Sequence, residues 1–177
     1  MSVLPIRTWG DPVLRDPARP VEEFDEALRR LAEDMIRTMH EAPGVGLAAP
    51  QVGRPIRLIV FDVGEEQDGA RALANPLLED EWGEQVGEEG CLSLPGIYYP
   101  VRRAMRVKAE GLDLDGRPVT IEAEELLSRV LQHEVDHLNG TLFIDRLDKE
   151  HRSQAMAELR NQALGLQPVA HDPKRAL

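Results

Sequence analysis

Residues 124–138 place apolar side chains on two opposite faces of one helix. One stripe, Leu126, Val130, His133 and His137, follows i, i+4, i+7, i+11. Leu127, Leu131, Val135 and Leu138 run along the other side. A helix that is apolar on both sides is expected inside a protein rather than on its surface. Asn139-Gly140 ends it. The chain that must accommodate it has 177 residues, the length of one domain. Phe, Trp and Tyr together number seven, so the surrounding core is mostly aliphatic.

The same helix carries His133-Glu134-Val135-Asp136-His137, an H-E-x-x-H pattern. A spacing of four puts both imidazoles on one face, one turn apart, where they can hold one metal ion. Glu134 can then reach a metal-bound water. The plain alternative is two histidines on a solvated face. The apolar stripes argue against it, because buried histidines without partners are costly.

The pattern leaves the third ligand open. In metzincins it is a histidine, but Phe143 stands at that position, although Gly140 matches the metzincin glycine. In thermolysin-like peptidases it is a glutamate about twenty residues on. Glu158 lies 21 residues after His137 and is a formal candidate, although its polar helix reads as solvated. Cys91, in Glu88-Glu89-Gly90-Cys91-Leu92-Ser93, is the remaining choice. A free cysteine is usually a small buried hydrophobe. Here it would complete a His₂Cys set and leave the fourth tetrahedral position for water. Such a set suits zinc, iron(II), nickel or cobalt.

A third segment is Gly44-Val45-Gly46-Leu47-Ala48-Ala49-Pro50-Gln51. Its glycines let backbone approach a substrate closely. The Gln51 amide can donate to a developing oxyanion. Residues 44–55 read as a surface loop of fixed shape.

Elsewhere, Phe24, Leu28, Leu31, Met35 and Met39 predict an amphipathic helix from about Asp25, its N-cap, to Glu41. Strands are expected at Arg57–Asp62 and Arg71–Asn75, separated by a turn at Asp68-Gly69. Met105–Leu112 and Val119–Ala123 flank a hairpin signal at Asp113–Gly116. Residues 79–90 are acidic and glycine-rich, and a polar third helix is expected over about Lys149–Leu164.

One cysteine excludes an internal disulfide and fits a reducing compartment. A net charge of −11 argues against a general grip on nucleic acid or anionic membrane. No apolar stretch is long enough to span a bilayer, and Met1–Arg7 lacks a secretory signal's apolar core. A cytoplasmic protein is expected.

Gly44–Gln51, Glu89–Ser93 and Gln132–Leu138 together resemble the peptide deformylase family, whose motifs are G-[small apolar]-G-L-A-A-x-Q, E-G-C-L-S and Q-H-E-x-D-H-L. The order and approximate spacing match, and the resemblance covers about residues 1–160. It implies a single α+β domain over residues 1–164, with strands packed around a central helix that carries H-E-x-x-H, and a tail at 165–177. It implies Cys91, His133 and His137 as ligands to one divalent metal, iron(II) in the cell, with zinc, nickel or cobalt possible in a purified sample. It implies Glu134 as the acid/base, and Gln51 with the Leu92 backbone N–H as the oxyanion site. Gly46, Val130 and His133 would flank the methionine pocket, with Gly44 and Val45 beside it. Glu89 is counted among the expected substrate-binding residues, and it also matches a motif acid expected behind the ligands, paired with Arg103. The segment 96–99 differs from members that place an arginine there, leaving Tyr98 as its expected substrate contact.

The implied reaction is hydrolysis of the formyl amide of formyl-methionyl nascent peptides. The implied setting is close to the ribosome, with no membrane and no sequence-specific nucleic acid. From Arg146 onward the chain has six basic and four acidic residues, a net +2 against −13 for the rest, which suits a ribosomal contact through the third helix. Two other classes compete: a thermolysin-type endopeptidase using Glu158, and a metal- or peptide-binding module without turnover.

Overall fold

The computed structural model describes residues 2–64 and 69–166. Asp68 of the expected turn and residues 167–177 of the expected tail lie outside them. Three helices, α1 (Glu26–Glu41), α2 (Glu125–Leu138) and α3 (Lys149–Ala163), combine with seven strands. The strands are β1 (Gly46–Ala48), β2 (Leu58–Phe61), β3 (Arg71–Trp82), β4 (Gln85–Cys91), β5 (Leu94–Arg103), β6 (Arg106–Leu112) and β7 (Pro118–Glu124). An antiparallel sheet runs β1-β2-β3-β6-β7, and β4 and β5 form a separate hairpin.

Helix α2 is central because its sequence leaves it no solvent face. Every residue from Ser128 to Leu138 is buried. Val130, Leu131 and Leu138 pack with Ile59, Phe61, Val107 and Ile121 of the five-stranded sheet. Leu126, counted above in an apolar stripe, is exposed at the helix start. Helix α1 forms a second layer. Asp25 Oδ1 caps it by accepting the Leu28 N–H at 3.0 Å, and Leu28, Ala32, Met35 and Met39 face β2 and Leu47.

Two stretches differ from the reading of the sequence. Residues 44–55 are not a surface loop. Gly46–Ala48 pairs with Phe61–Ile59 of β2, and Ala49–Val52 makes a buried 3₁₀ turn. The small side chains that suggested a loop are what let this backbone pack beneath the core. The acidic run 79–90 is the end of β3, a turn at Gly83 with φ +67°, and most of β4, two strands that pair with β6 and β5 rather than with each other. One side of these strands faces water, so glutamates are compatible with them. The left-handed Asn75 and Asp80 lie in the two β3 register shifts, where the strand bulges. Asn75 also accepts the Val21 N–H at 2.7 Å and donates to the Val21 carbonyl at 2.9 Å, tying the N-terminal segment to the sheet.

Removing the α1 cap should cost about 1 kcal/mol. Asp25→Ala is therefore expected to lower the urea midpoint with an unchanged slope, and to lower Tm by about 2–4 °C. An unchanged midpoint would mean that the cap contributes nothing.

Candidate active site

Three separate elements meet at one point. Helix α2 carries His133 and His137 one turn apart, β4 ends on Cys91, and the 3₁₀ turn after β1 carries Gln51. All four side chains are buried. The Cys91 sulfur and one nitrogen of each histidine lie within 4.8 Å of one another. Cys91 Sγ is 3.3 Å from His137 Nε2. Gln51 Nε2 donates to Ser93 Oγ at 3.2 Å and approaches Cys91 Sγ at 3.5 Å. The Ala48 N–H holds its Oε1 at 2.8 Å, so the amide is fixed in orientation.

These atoms fit a small divalent ion. Zinc-type bonds of about 2.0 Å to nitrogen and 2.3 Å to sulfur, at tetrahedral angles, set ligand atoms about 3.3–3.5 Å apart. Among the described residues, His133 Nε2 is buried without a hydrogen-bond partner. Its other nitrogen, Nδ1, meets Glu89 Oε2 at 3.0 Å, which orients the ring so that Nε2 is the atom left to bind. Burial first, then the neighbouring positive groups, push His137 well below the usual histidine range, toward the neutral form that a ligand needs.

Glu89 is wholly enclosed. Its Oε1 accepts from Arg103 Nε and Arg129 Nη1, both at 2.8 Å. Its Oε2 accepts from Arg103 Nη2 at 2.9 Å as well as meeting His133. Burial alone would raise its pKa, but hydrogen bonds from Arg103 and His133 hold it far below the usual carboxylate range. Arg103 Nη1 continues to Asp136 at 2.6 Å, and Arg146 reaches Asp136 from the rim at 2.6 and 3.0 Å.

Glu134 is the opposite case. It is fully buried, and neither oxygen has a partner among the described residues. Burial pushes its pKa up to about 7. A carboxyl group poised there can accept and return a proton near neutral pH. Gly46 makes room for it, since a Cβ on Gly46 would overlap Glu134 Oε1 and come within 2.9 Å of Cδ.

The other expected residues are placed as follows. Gly44 packs under Leu92, where a Cβ on the glycine would stand 2.9 Å from Leu92 Cδ1. Val45 is half-buried between Gly44 and Gly46, and its carbonyl accepts the Asp62 N–H at 2.9 Å. Leu92 follows Cys91 in the β4–β5 turn and is buried. Val130 lies within the α2–sheet core, and Tyr98 is half-buried on β5. Glu158 is not in the Cys–His–His cluster: it accepts the Tyr99 hydroxyl at 2.5 Å, and burial first, then this hydrogen bond, push that phenol up to about 12. Phe143, at the metzincin histidine position, packs on the His133 ring at 6.1 Å.

The polypeptide deformylase family model matches residues 3–153. The chain belongs to this family. A peptide deformylase of Acidothermus cellulolyticus is 55% identical over 161 residues, covering 90% of this chain and 87% of that protein. The solved peptide deformylase of Thermus thermophilus is 48% identical with a TM-score of 0.85, covering 93% of this chain and 97% of that one. The Legionella pneumophila peptide deformylase structure is 43% identical, also with a TM-score of 0.85, covering 94% and 99%. The α+β deformylase fold is thus established for this chain.

Within this deformylase, the reading of the sequence missed Arg129, Ser93, Asp136 and Arg146. Arg129 did carry a signal, as a cation inside a helix that is otherwise apolar on both sides, one turn before His133. The ligand set has a direct test. Cys91→Ala is expected to lose metal at neutral pH, whereas Glu158→Ala keeps metal and activity, as metal analysis of the purified variants would show. The reverse pattern would move the third ligand to Glu158.

Proposed function

We propose that this protein removes the formyl group from the N-terminal formyl-methionine of newly made polypeptides, releasing formate and a free amine. The observation that carries the reading is the buried Glu134 carboxyl, without a hydrogen-bond partner among the described residues, next to His133 and beside the Cys91–His133–His137 cluster. The family membership and the deformylase fold support it.

In this reading Cys91, His133 and His137 hold one divalent ion, iron(II) in the cell, with zinc, nickel or cobalt able to replace it. When bound, the ion lowers the pKa of water toward about 7 and polarises the formyl carbonyl. Glu134 takes the proton of the attacking water and passes it to the leaving amine. The Gln51 amide and the Leu92 backbone N–H donate to the oxyanion, each worth about 3–4 kcal/mol. Gly44, Val45, Gly46 and Val130 shape the methionine side of the site, and Tyr98 touches the following peptide. Glu89 acts behind His133, not on substrate, since its oxygens are taken by protein donors. Ribosome proximity through α3 and a cytoplasmic setting complete the proposal. No helix among the described residues is long and apolar enough to cross a membrane.

Formate release from formyl-Met-Ala, with metal analysis on the same sample, tests the reading. A formyl carbon bears hydrogen where an acetyl carbon bears methyl, and it is also the more electrophilic. Steric exclusion supplies about 10–200-fold and reactivity multiplies it, so a preference of about a thousandfold or more in kcat/KM over acetyl-Met-Ala is expected. Acetyl turnover within about tenfold of formyl would contradict the assignment. Glu134→Gln should keep its metal and lose about 10²–10⁴-fold in turnover. Near-normal turnover would show that another group is the base.

A further inference from the structure

The mechanism uses His133 but leaves unexplained why Glu89, behind it, needs two arginines. Arg103 grips both oxygens of Glu89, yet its remaining nitrogen is committed to Asp136 at 2.6 Å. One buried guanidinium therefore serves two buried carboxylates. Arg129 supplies the second cation, at 2.8 Å from Glu89 Oε1.

Arg129 and His133 are four residues apart on α2, so both meet Glu89 from the same helix face. Arg129 Nη1 also donates to the Val101 carbonyl of β5 at 3.0 Å and the Gly87 carbonyl of β4 at 3.3 Å. It thus joins the strand that carries Glu89 to the helix that carries His133. Gly87 leaves space for it: a Cβ there would stand 3.1 Å from Arg129 Nη2.

We propose that Arg129 is a positioning residue for the deformylation reaction, fixing Glu89 against His133 Nδ1 so that His133 Nε2 faces the metal, with Gly87 as the space that admits it. The proposal rests on the reading of His133 as a metal ligand. Arg129 lies outside the Cys91–His133–His137 cluster. It acts through Glu89, and its effect must appear in metal affinity as well as in turnover.

The test measures the zinc dissociation constant by chelator competition, kcat and KM for formyl-Met-Ala, and the His133 Nδ1–H proton resonance of the zinc form. Arg129→Lys keeps the charge but shortens the side chain and removes the planar fork, so its ammonium does not reach Glu89 and the Val101 and Gly87 carbonyls as Nη1 does. It should weaken zinc binding about 10–100-fold, lower kcat with KM unchanged, and shift or broaden the Nδ1–H resonance. Gly87→Ala, which removes no charge, should move all three in the same direction. In a Glu89→Gln background, Arg129→Lys should add little further loss of zinc affinity. Asp25→Ala, destabilised far from the site, should leave the zinc affinity at the wild-type value. Wild-type zinc affinity in both Arg129→Lys and Gly87→Ala overturns the proposal. If His133→Ala meanwhile loses zinc, the ligand reading stands alone. If His133→Ala keeps zinc, both fail.

Discussion

A carboxylate with no exposed surface sits at the centre of this protein. Glu89 is far from water, and its charge survives there because Arg103, Arg129 and His133 fill its hydrogen-bonding positions. Burying such a group without partners would cost several kcal/mol, and removing one partner from a buried pair costs about 3–5 kcal/mol. The site inherits that rigidity. His133 is oriented by Glu89, Glu89 by two arginines, and Arg103 by Asp136, which Arg146 closes at the rim. Because folding holds Glu89 well below its ordinary value, its stabilisation is present above about pH 4.3 and is lost as pH falls below that.

Two buried glutamates of one chain thus receive opposite treatment. Glu89 is surrounded by donors and kept charged, and it serves to orient. Glu134, nearby on α2, has no hydrogen-bond partner among the described residues and is pushed by burial up to about 7, where it can exchange a proton. The difference comes from the neighbouring strand. β4 and β5 bring arginine and carbonyl groups to the Glu89 side, whereas β1 brings Gly46, which offers Glu134 space and no donor side chain. A charged side chain in place of Gly46 would destroy that contrast as surely as a bulky one.

Much of this was legible in the residues. The double apolar striping of α2 announced a buried helix, and H-E-x-x-H on it announced paired imidazoles. What the striping could not show is which strand faces which side of the helix. The partners of Arg129 and Asp136, Glu89 and Arg103, lie 40 and 33 residues away, so spacing within the helix does not reveal them. The β5 alternation, with Ile97, Tyr99, Val101 and Arg103 buried, was obscured by prolines at 95 and 100 and by an arginine on the buried side. Residues 44–55 were misplaced for a related reason. Glycine and proline mark turns on average, but here their small volume lets backbone enter the core and bring Gln51 beside Cys91.

The account depends above all on one ion being held by three atoms from two distant segments. Anomalous diffraction at the absorption edge of the bound metal, on crystals of the purified protein, measures that directly. The account predicts a single peak at bonding distance, about 2.0–2.3 Å, from Cys91 Sγ, His133 Nε2 and His137 Nε2 together. A peak bonded to the two histidines and to Glu158 instead, or one that leaves Cys91 unbound, would contradict it.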